Sequence, residues 1–168
     1  MQYYDSALDG EPLESTAARL FAEVEAALPR LNAIDEALAE TPRAGGKWSP
    51  KEILGHLIDS AANNHARFVR GQAMDDLLFE GYDQNAWVRV QRYNECSWID
   101  LIQLWYAYNG HLADVMERAD PDALARPRAR HSLDRIAFHP LDPSTPATLA
   151  FVMRDYVAHL KHHLNQIG

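Results

Sequence analysis

Four long stretches of helical periodicity constrain the fold of this chain more than any other feature of its sequence. Apolar residues recur at helical spacing in each stretch, whereas the alternating patterns typical of strands are short and weak. The 168 residues, of which 47% are hydrophobic, can bury one substantial core. We therefore predict an all-α fold, a four-helix bundle, as a single domain over residues 1–168.

Local signals define the ends of the predicted helices. The second has the clearest start, because Ser49 can cap it, Pro50 suits its first position and Glu52 completes a capping box. We place the helices at about residues 14–40, 49–72, 97–119 and 145–167. Long connections therefore follow the second and third helices, and connections of that length often carry functional residues. The later one contains four prolines and should be irregular.

The charge balance argues against two classes of partner. Aspartate and glutamate outnumber lysine and arginine by 24 to 16, whereas nucleic acids and anionic membranes attract basic surfaces. No apolar stretch reaches the roughly 20 residues of a membrane helix, and residues 1–10 lack the pattern of a signal peptide. We predict no nucleic-acid or membrane partner and a cytoplasmic location. The single cysteine, Cys96, fits a reducing compartment, and we interpret it as a packed residue rather than a nucleophile.

The sequence His159-Leu160-Lys161-His162-His163 contains the most informative histidines. Residues four apart on a helix lie on one face, so His159 and His163 can hold one ion while His162 points away from them. The pair also falls at the edge of the apolar stripe of the last helix. The alternative is a helix that is rich in histidine at its C-terminus, where cations interact favourably with the helix dipole.

A third ligand should come from another helix, and His56 is the candidate. It lies seven residues past the Ser49 cap, about 10 Å along its helix. His163 and His159 lie roughly 6 and 12 Å from the end of the last helix. These depths match if the second and fourth helices are antiparallel, which requires the connection at about 73–96 to cross the bundle. The alternative is an exposed histidine, because His56 lies off the apolar stripe of its helix.

The remaining histidines have simpler interpretations. We expect His65, on the other side of the second helix, to be packed or to cap. His111, on the third helix, could substitute as a ligand, although no neighbouring residue supports that role. His131 and His139 fall in the later connection, where we expect them to be solvated.

Three segments resemble one known family. They are 48–60 (WSPKEILGHLIDS), 82–88 (YDQNAWV) and 156–167 (YVAHLKHHLNQI). In this order they resemble the signature of the DinB/YfiT-like metalloenzyme superfamily. The resemblance implies a four-helix bundle, often dimeric, that holds one divalent metal ion through His56, His159 and His163. Members include transferases and isomerases that use a low-molecular-weight thiol, and hydrolases.

Three imidazole ligands leave at least one coordination position free. Zinc lowers the pKa of a water in that position to near neutral, and a thiolate could occupy it instead. Asp59 and Asp155 lie within one turn of a ligand, so either could orient an imidazole or serve as a catalytic base, or be an ordinary surface carboxylate. We expect Tyr82, Asp83 and Trp87 to line the pocket, and the alternative for Trp87 is an anchor in the core.

These observations lead to a divalent-metal-dependent enzyme acting on a small molecule, either a thiol S-transferase or a hydrolase. The metal would be Zn, Ni or Mn. The alternatives are a non-catalytic bundle that binds metal or a ligand as a sensor or partner module, and a structural protein with incidental histidines. We also expect a homodimer, mainly from the resemblance, with weak support from the apolar residues Trp98, Ile99, Trp105 and Tyr106.

Overall fold

The computed structural model describes residues 13–167 of the protein. The remainder of the predicted domain, residues 1–12 and Gly168, and with it the segment searched for a signal peptide, lies outside the described residues. Within the described range every regular element is helical, and β-pairing is limited to isolated bridges. The α-helices are α1 (Leu13–Asn32), α2 (Glu36–Ala39), α3 (Pro50–Ala73), α4 (Gln84–Gln91), α5 (Trp98–Glu117), α6 (Pro121–Ala125), α7 (Leu133–Ile136) and α8 (Leu149–Leu164).

The four long helices α1, α3, α5 and α8 form the predicted four-helix bundle. Around the bundle, α1 contacts α5, α5 contacts α3, α3 contacts α8, and α8 contacts α1. Helices that follow one another along the chain are therefore not always neighbours. The core between them is apolar and includes Trp105, Leu20, Leu57 and Leu160, which are fully buried.

Contacts at the helix ends establish the directions of the helices. The end of α3 meets the start of α8, where a Cβ on Gly71 would lie 2.8 Å from Leu149. The end of α3 also meets the end of α5, since the Asp120 amide donates to Gln72. Thus α3 is parallel to α5 and antiparallel to α8, as the matched depths of the histidines required. The connection between α3 and α5 consequently returns along the whole bundle.

The start of α3 is held firmly. The Ser49 hydroxyl accepts from the Glu52 amide and the Glu52 carboxylate accepts from the Ser49 amide, which is the predicted capping box. Lys51, only 2% exposed, forms ion pairs with Glu36 and Glu40 across the preceding connection. These contacts fix the axial position of α3, and with it the height of any side chain one or two turns further along.

Two predicted helix boundaries were wrong. The first long helix ends at Asn32, and a separate short helix α2 follows, because the Asp35 side chain accepts from the Leu38 amide and so starts a new helix. The last helix begins at Leu149 rather than at Thr145-Pro146. Ala147 is held in extended backbone by two hydrogen bonds with Arg128, and Thr148 provides the cap.

Both long connections contain short helices. The first carries α4 and a 3-10 turn at Tyr93–Glu95, and the second carries α6 and α7 between irregular segments. None of the helices in the described range is both long and apolar enough to cross a membrane. Trp98 and Trp105 are buried inside the chain, so their apolar surface does not support a dimer interface.

The first prediction concerns Gly55, where α3 meets the returning connection. A Cβ at this position would lie 2.1 Å from the Tyr93 ring, which is itself buried. We expect Gly55→Ala to lower the free energy of unfolding by about 1–3 kcal/mol, measured by urea denaturation. Gly110→Ala is the matched control, because nothing lies within 4 Å of its Cβ. That variant should gain up to about 1 kcal/mol from helix propensity. Equal stabilities of the two variants would contradict the close contact.

Candidate metal centre

The structure brings His56, His159 and His163 together between α3 and α8. One ring nitrogen from each lies within 4.8 Å of those of the other two, and among the described residues no other group of three potential metal ligands is this compact. The Nε2 atoms of His56 and His159 are 3.1 Å apart. Capping fixes the height of His56 on α3, and the antiparallel packing of α8 delivers the other two at the same depth.

Burial keeps these imidazoles neutral. Loss of solvent, with a smaller contribution from His163, lowers the pKa of His56 to about 3. The pKa of His163 is lowered to about 4, mainly by burial, and that of His159 is lowered well below its ordinary value for the same reason. All three rings therefore present unprotonated nitrogen at neutral pH, which is the form that binds metal.

His56 is 1% exposed, although its face of α3 is polar. The returning connection covers that face: Tyr93 and Gln91 both donate to Oδ1 of Asp59 at 2.6 Å. Trp48 packs against the His56 ring, with 5.2 Å between centroids. The alternative of an exposed histidine is thus wrong, because a segment distant in sequence shields this face from water.

The two candidate catalytic carboxylates have partners other than the three histidines. Burial raises the pKa of Asp59, and its Oδ2 has no hydrogen-bond partner among residues 13–167. Asp155 accepts from the backbone amides of Phe138 and His139 and lies 3.1 Å from Nδ1 of His139. Asp155 therefore holds the later connection against α8, and a catalytic role for either carboxylate stays a prediction.

A cleft of about 430 Å³ opens beside the three histidines. Its lining is mixed: apolar side chains come mainly from the later connection and α8, and polar side chains come from α3, the earlier connection, the later connection and α8. The residues that line it include Ser60, Asn64, Arg67, Tyr82, Gln84, Leu133, Ile136, Phe138, Val152, Asp155 and Tyr156. Burial, together with the charge of Asp59, raises the pKa of Tyr82 to about 12, so its hydroxyl stays protonated.

The three residues named from the earlier connection have different positions. Tyr82 lines the cleft as predicted, whereas Asp83 caps α4 by accepting from the Ala86 amide. Trp87 is 39% exposed and packs on Tyr82, so it does not anchor the core.

The other histidines do not join the cluster. His162 is exposed, as its place on the helix predicted. His65 packs against Tyr108, while its Nε2 lies 3.4 Å from Nε2 of His111. The expectation that His131 and His139 are solvated was wrong. His131 is buried and contacts the Thr145 carbonyl, and His139 is held by Asp155, because both anchor the later connection.

The donor set fits a divalent transition metal. Zinc–imidazole bonds of about 2.0–2.1 Å place ligand nitrogens a little over 3 Å apart, close to the His56–His159 separation. A hydrogen bond between two neutral imidazoles would satisfy only that pair, whereas one ion would satisfy all three rings. Neutral imidazole suits Zn, Cu, Fe and Ni.

Comparison with known proteins agrees with this geometry. The family model of the DinB superfamily matches residues 19–167, from within α1 to the end of the described chain. The chain belongs to the DinB superfamily. The residues that match the family model include all three histidines and every residue that lines the cleft.

A related sequence and a similar solved structure of this DinB superfamily member both belong to the same bacterial protein. The chain is 24% identical over 155 residues to the "Putative metal-dependent hydrolase YfiT" of Bacillus subtilis (strain 168), covering 92% of this chain and 78% of that protein. A solved structure described as YfiT from Bacillus subtilis, "a probable metal-dependent hydrolase with an unusual four-helix bundle topology", superposes with a TM-score of 0.70 at 19% identity. It covers 99% of this chain and 86% of its own, and it confirms the fold.

Several residues of the cleft escaped sequence reasoning. Ser60 and Arg67 follow His56 at four and eleven residues, spacings that return to the same face of a helix. That polar stripe could have indicated from the sequence that this face of α3 lines the cleft. Phe138 carried no comparable signal, because it lies in an irregular segment whose position depends on Asp155.

The second prediction tests the ligands. We expect His159→Ala to lose most bound metal, since two imidazoles from different helices would remain, and His162→Ala to retain it. Metal content is measured by elemental analysis of the proteins purified in parallel. Equal losses from both variants would contradict the assignment, because His162 is exposed and turned away from the cluster.

The third prediction follows from the lowered pKa values. An imidazole in the unfolded chain titrates near pH 6.5, whereas His56 and His163 titrate at about 3 and about 4 in the folded protein. Between these values only the unfolded state binds the proton, so stability is lost as the pH falls below 6.5. With chelator present, we expect the free energy of unfolding to fall by about 2 kcal/mol for each buried histidine as the pH is lowered from about 7.5 to 5.

Urea denaturation of two variants isolates this effect. His159→Gln should lose less stability than the wild type over the same pH interval, and His162→Gln should lose as much as the wild type. The raised pKa values of Asp59 and Asp155 act in the opposite direction in every variant and cancel in the comparison. A pH dependence that is the same in all three proteins would show that His159 is not kept neutral by burial.

Proposed function

We propose that this protein is a divalent-metal-dependent hydrolase of a small molecule, with the ion held by His56, His159 and His163. The observation that carries the proposal is the convergence of three neutral imidazoles at one side of a cleft of about 430 Å³. Within the described chain no fourth residue joins this set of ligands. Structural zinc sites usually have four protein ligands, so a three-ligand set is more typical of a catalytic site.

The three histidines and the other residues of the cleft would have different roles in the reaction. A divalent ion bound by the three histidines would lower the pKa of a coordinated water and polarise a carbonyl or related bond of the substrate. The histidines hold their lone pairs available because burial disfavours protonation. Phe138 packs over His159, with 5.5 Å between centroids, and helps to keep bulk water from that ring. Tyr82 can donate a hydrogen bond within the cleft.

The relatives support hydrolysis as the first reaction to test. YfiT is described as a "putative" or "probable" metal-dependent hydrolase. The same free coordination position would accept a thiolate, which a thiol S-transferase requires. A bundle that only senses metal needs no cleft beside the ion. A hydrolase, a thiol S-transferase and a metal sensor therefore differ in whether the metal-bound protein converts an electrophile to product. They also differ in whether that conversion requires a thiol.

The fourth prediction concerns removal of the metal. We expect chelation to abolish hydrolysis of small activated esters while leaving helicity unchanged, because the buried apolar core does not depend on the ion. Circular dichroism and release of 4-nitrophenol from its esters are recorded on the same samples, before and after chelation and after Zn²⁺, Ni²⁺ or Mn²⁺ is restored. Loss of helicity on chelation would mean that the metal is structural.

Variants and a co-substrate separate the alternatives. His56→Ala should lose esterase activity by at least about 100-fold, whereas His162→Ala should keep it. Product formation that requires an added low-molecular-weight thiol, with no ester hydrolysis in its absence, would replace hydrolase by thiol S-transferase. Metal binding without turnover of either kind would favour the sensor function.

A further inference from the structure

A buried arginine lines the candidate cleft beside the three histidines. Arg67 is 9% exposed and projects from the same face of α3 as His56, eleven residues further on. Its N–H groups donate to the Asn64 side chain at 3.4 Å and to the Glu80 carbonyl at 3.1 Å. A guanidinium carries five N–H donors. The others have no hydrogen-bond partner in the part of the chain that the structure describes.

Arg67 also lacks an ion-pair partner. Across residues 13–167 no carboxylate lies within ion-pair distance of it, although burial lowers its pKa. The acidic residue that lines the cleft, Asp155, raises the pKa of Arg67 through its charge but forms no ion pair with it, and its oxygens accept from the amides of Phe138 and His139. A buried cation without an anion is costly, and such groups are normally paired. An anionic group on a ligand would provide the missing partner.

The position of Arg67 relative to the histidines suits one small ligand. The pKa of His159 is lowered first by burial and by the neighbouring histidines, and the charge of Arg67 contributes further. The guanidinium and the three histidines line the same cleft. The apolar side chains of Leu133, Ile136 and Val152 line the same cleft and can contact a short hydrocarbon segment.

We propose that Arg67 forms a carboxylate-binding subsite, so that the substrate is a small, partly apolar molecule with one terminal carboxylate. This proposal rests on the proposed function only in placing the reactive bond at His56, His159 and His163. The planar guanidinium matches a carboxylate, with which it forms paired hydrogen bonds. One buried arginine beside the ionisable Asp155, with the other arginine of the cleft, Arg135, largely exposed, favours a monoanion over a phosphate-like dianion.

Binding of three matched probes tests the subsite without requiring turnover. The probes are 3-phenylpropionate, its neutral amide 3-phenylpropionamide, and 2-phenylethylphosphonate, each titrated calorimetrically into the purified protein. We expect the acid to bind at least about tenfold more tightly than the amide, as charge-assisted hydrogen bonds typically provide. The phosphonate should bind more weakly than the acid. Absence of acid binding, an acid no tighter than the amide, or a tighter phosphonate would overturn the proposal.

Variants then test whether the preference for the acid over the amide depends on Arg67. Arg67→Gln should abolish it, while Arg135→Gln should retain it, because Arg135 lines the same cleft but its side chain is 73% exposed. If Arg67→Gln is unfolded by circular dichroism, Arg67→Lys replaces it. That variant should keep a reduced preference, since a point charge lacks the paired geometry. An unreduced preference in a folded Arg67 variant, or loss in Arg135→Gln, would overturn the assignment.

The ligand histidines separate this proposal from the proposed function. A preference that survives Arg67→Gln but disappears in His159→Ala would place the carboxylate at the metal, and the subsite would be rejected. A preference that depends on Arg67 in a protein that binds no metal would support the subsite while the hydrolase proposal fails. Elemental analysis of each variant accompanies every titration.

Discussion

The antiparallel packing of α3 against α8 is the constraint on which the rest of the structure depends. A histidine two turns into α3 can meet a pair near the end of α8 only if the two helices run in opposite directions at a fixed height. The capping box at Ser49 and the buried Lys51 set that height at one end. At the other end, Gly71 leaves room for Leu149 to pack closely. Because both ends are fixed, the 3.1 Å separation between His56 and His159 follows from helix geometry rather than from a flexible loop.

The antiparallel arrangement has a topological consequence that also shapes the site. Since α3 and α5 are parallel, the chain must return along the bundle between them, and this segment covers the polar face of α3. Tyr93 and Gln91 hydrogen bond to Asp59, so a face that is polar in sequence is buried in the protein. Burial in turn disfavours protonation of the imidazoles. The same connection that the bundle topology requires therefore helps to keep His56 neutral and able to bind a metal.

The chain belongs to the DinB superfamily and is similar to YfiT, which is called a putative metal-dependent hydrolase. Arg67, Tyr82 and Asp155 surround a volume with both polar and apolar walls. Asp155 contributes indirectly, because its carboxylate holds the segment that carries Phe138. The later connection is therefore part of the site, although it supplies none of the three histidines.

The sequence by itself determined the helices, the four-helix bundle and the pairing of His159 with His163, because these depend on spacing along one helix. It also indicated the depth of His56 and the need for a connection that crosses the bundle. The burial of His56 and His131, the partners of Asp59 and Asp155, and the contact of His139 with Asp155 were decided only by tertiary structure. Each of these depends on segments distant in the chain, whose contacts leave no periodic pattern. Helical periodicity records which face is apolar, but it cannot record which polar face another segment will cover.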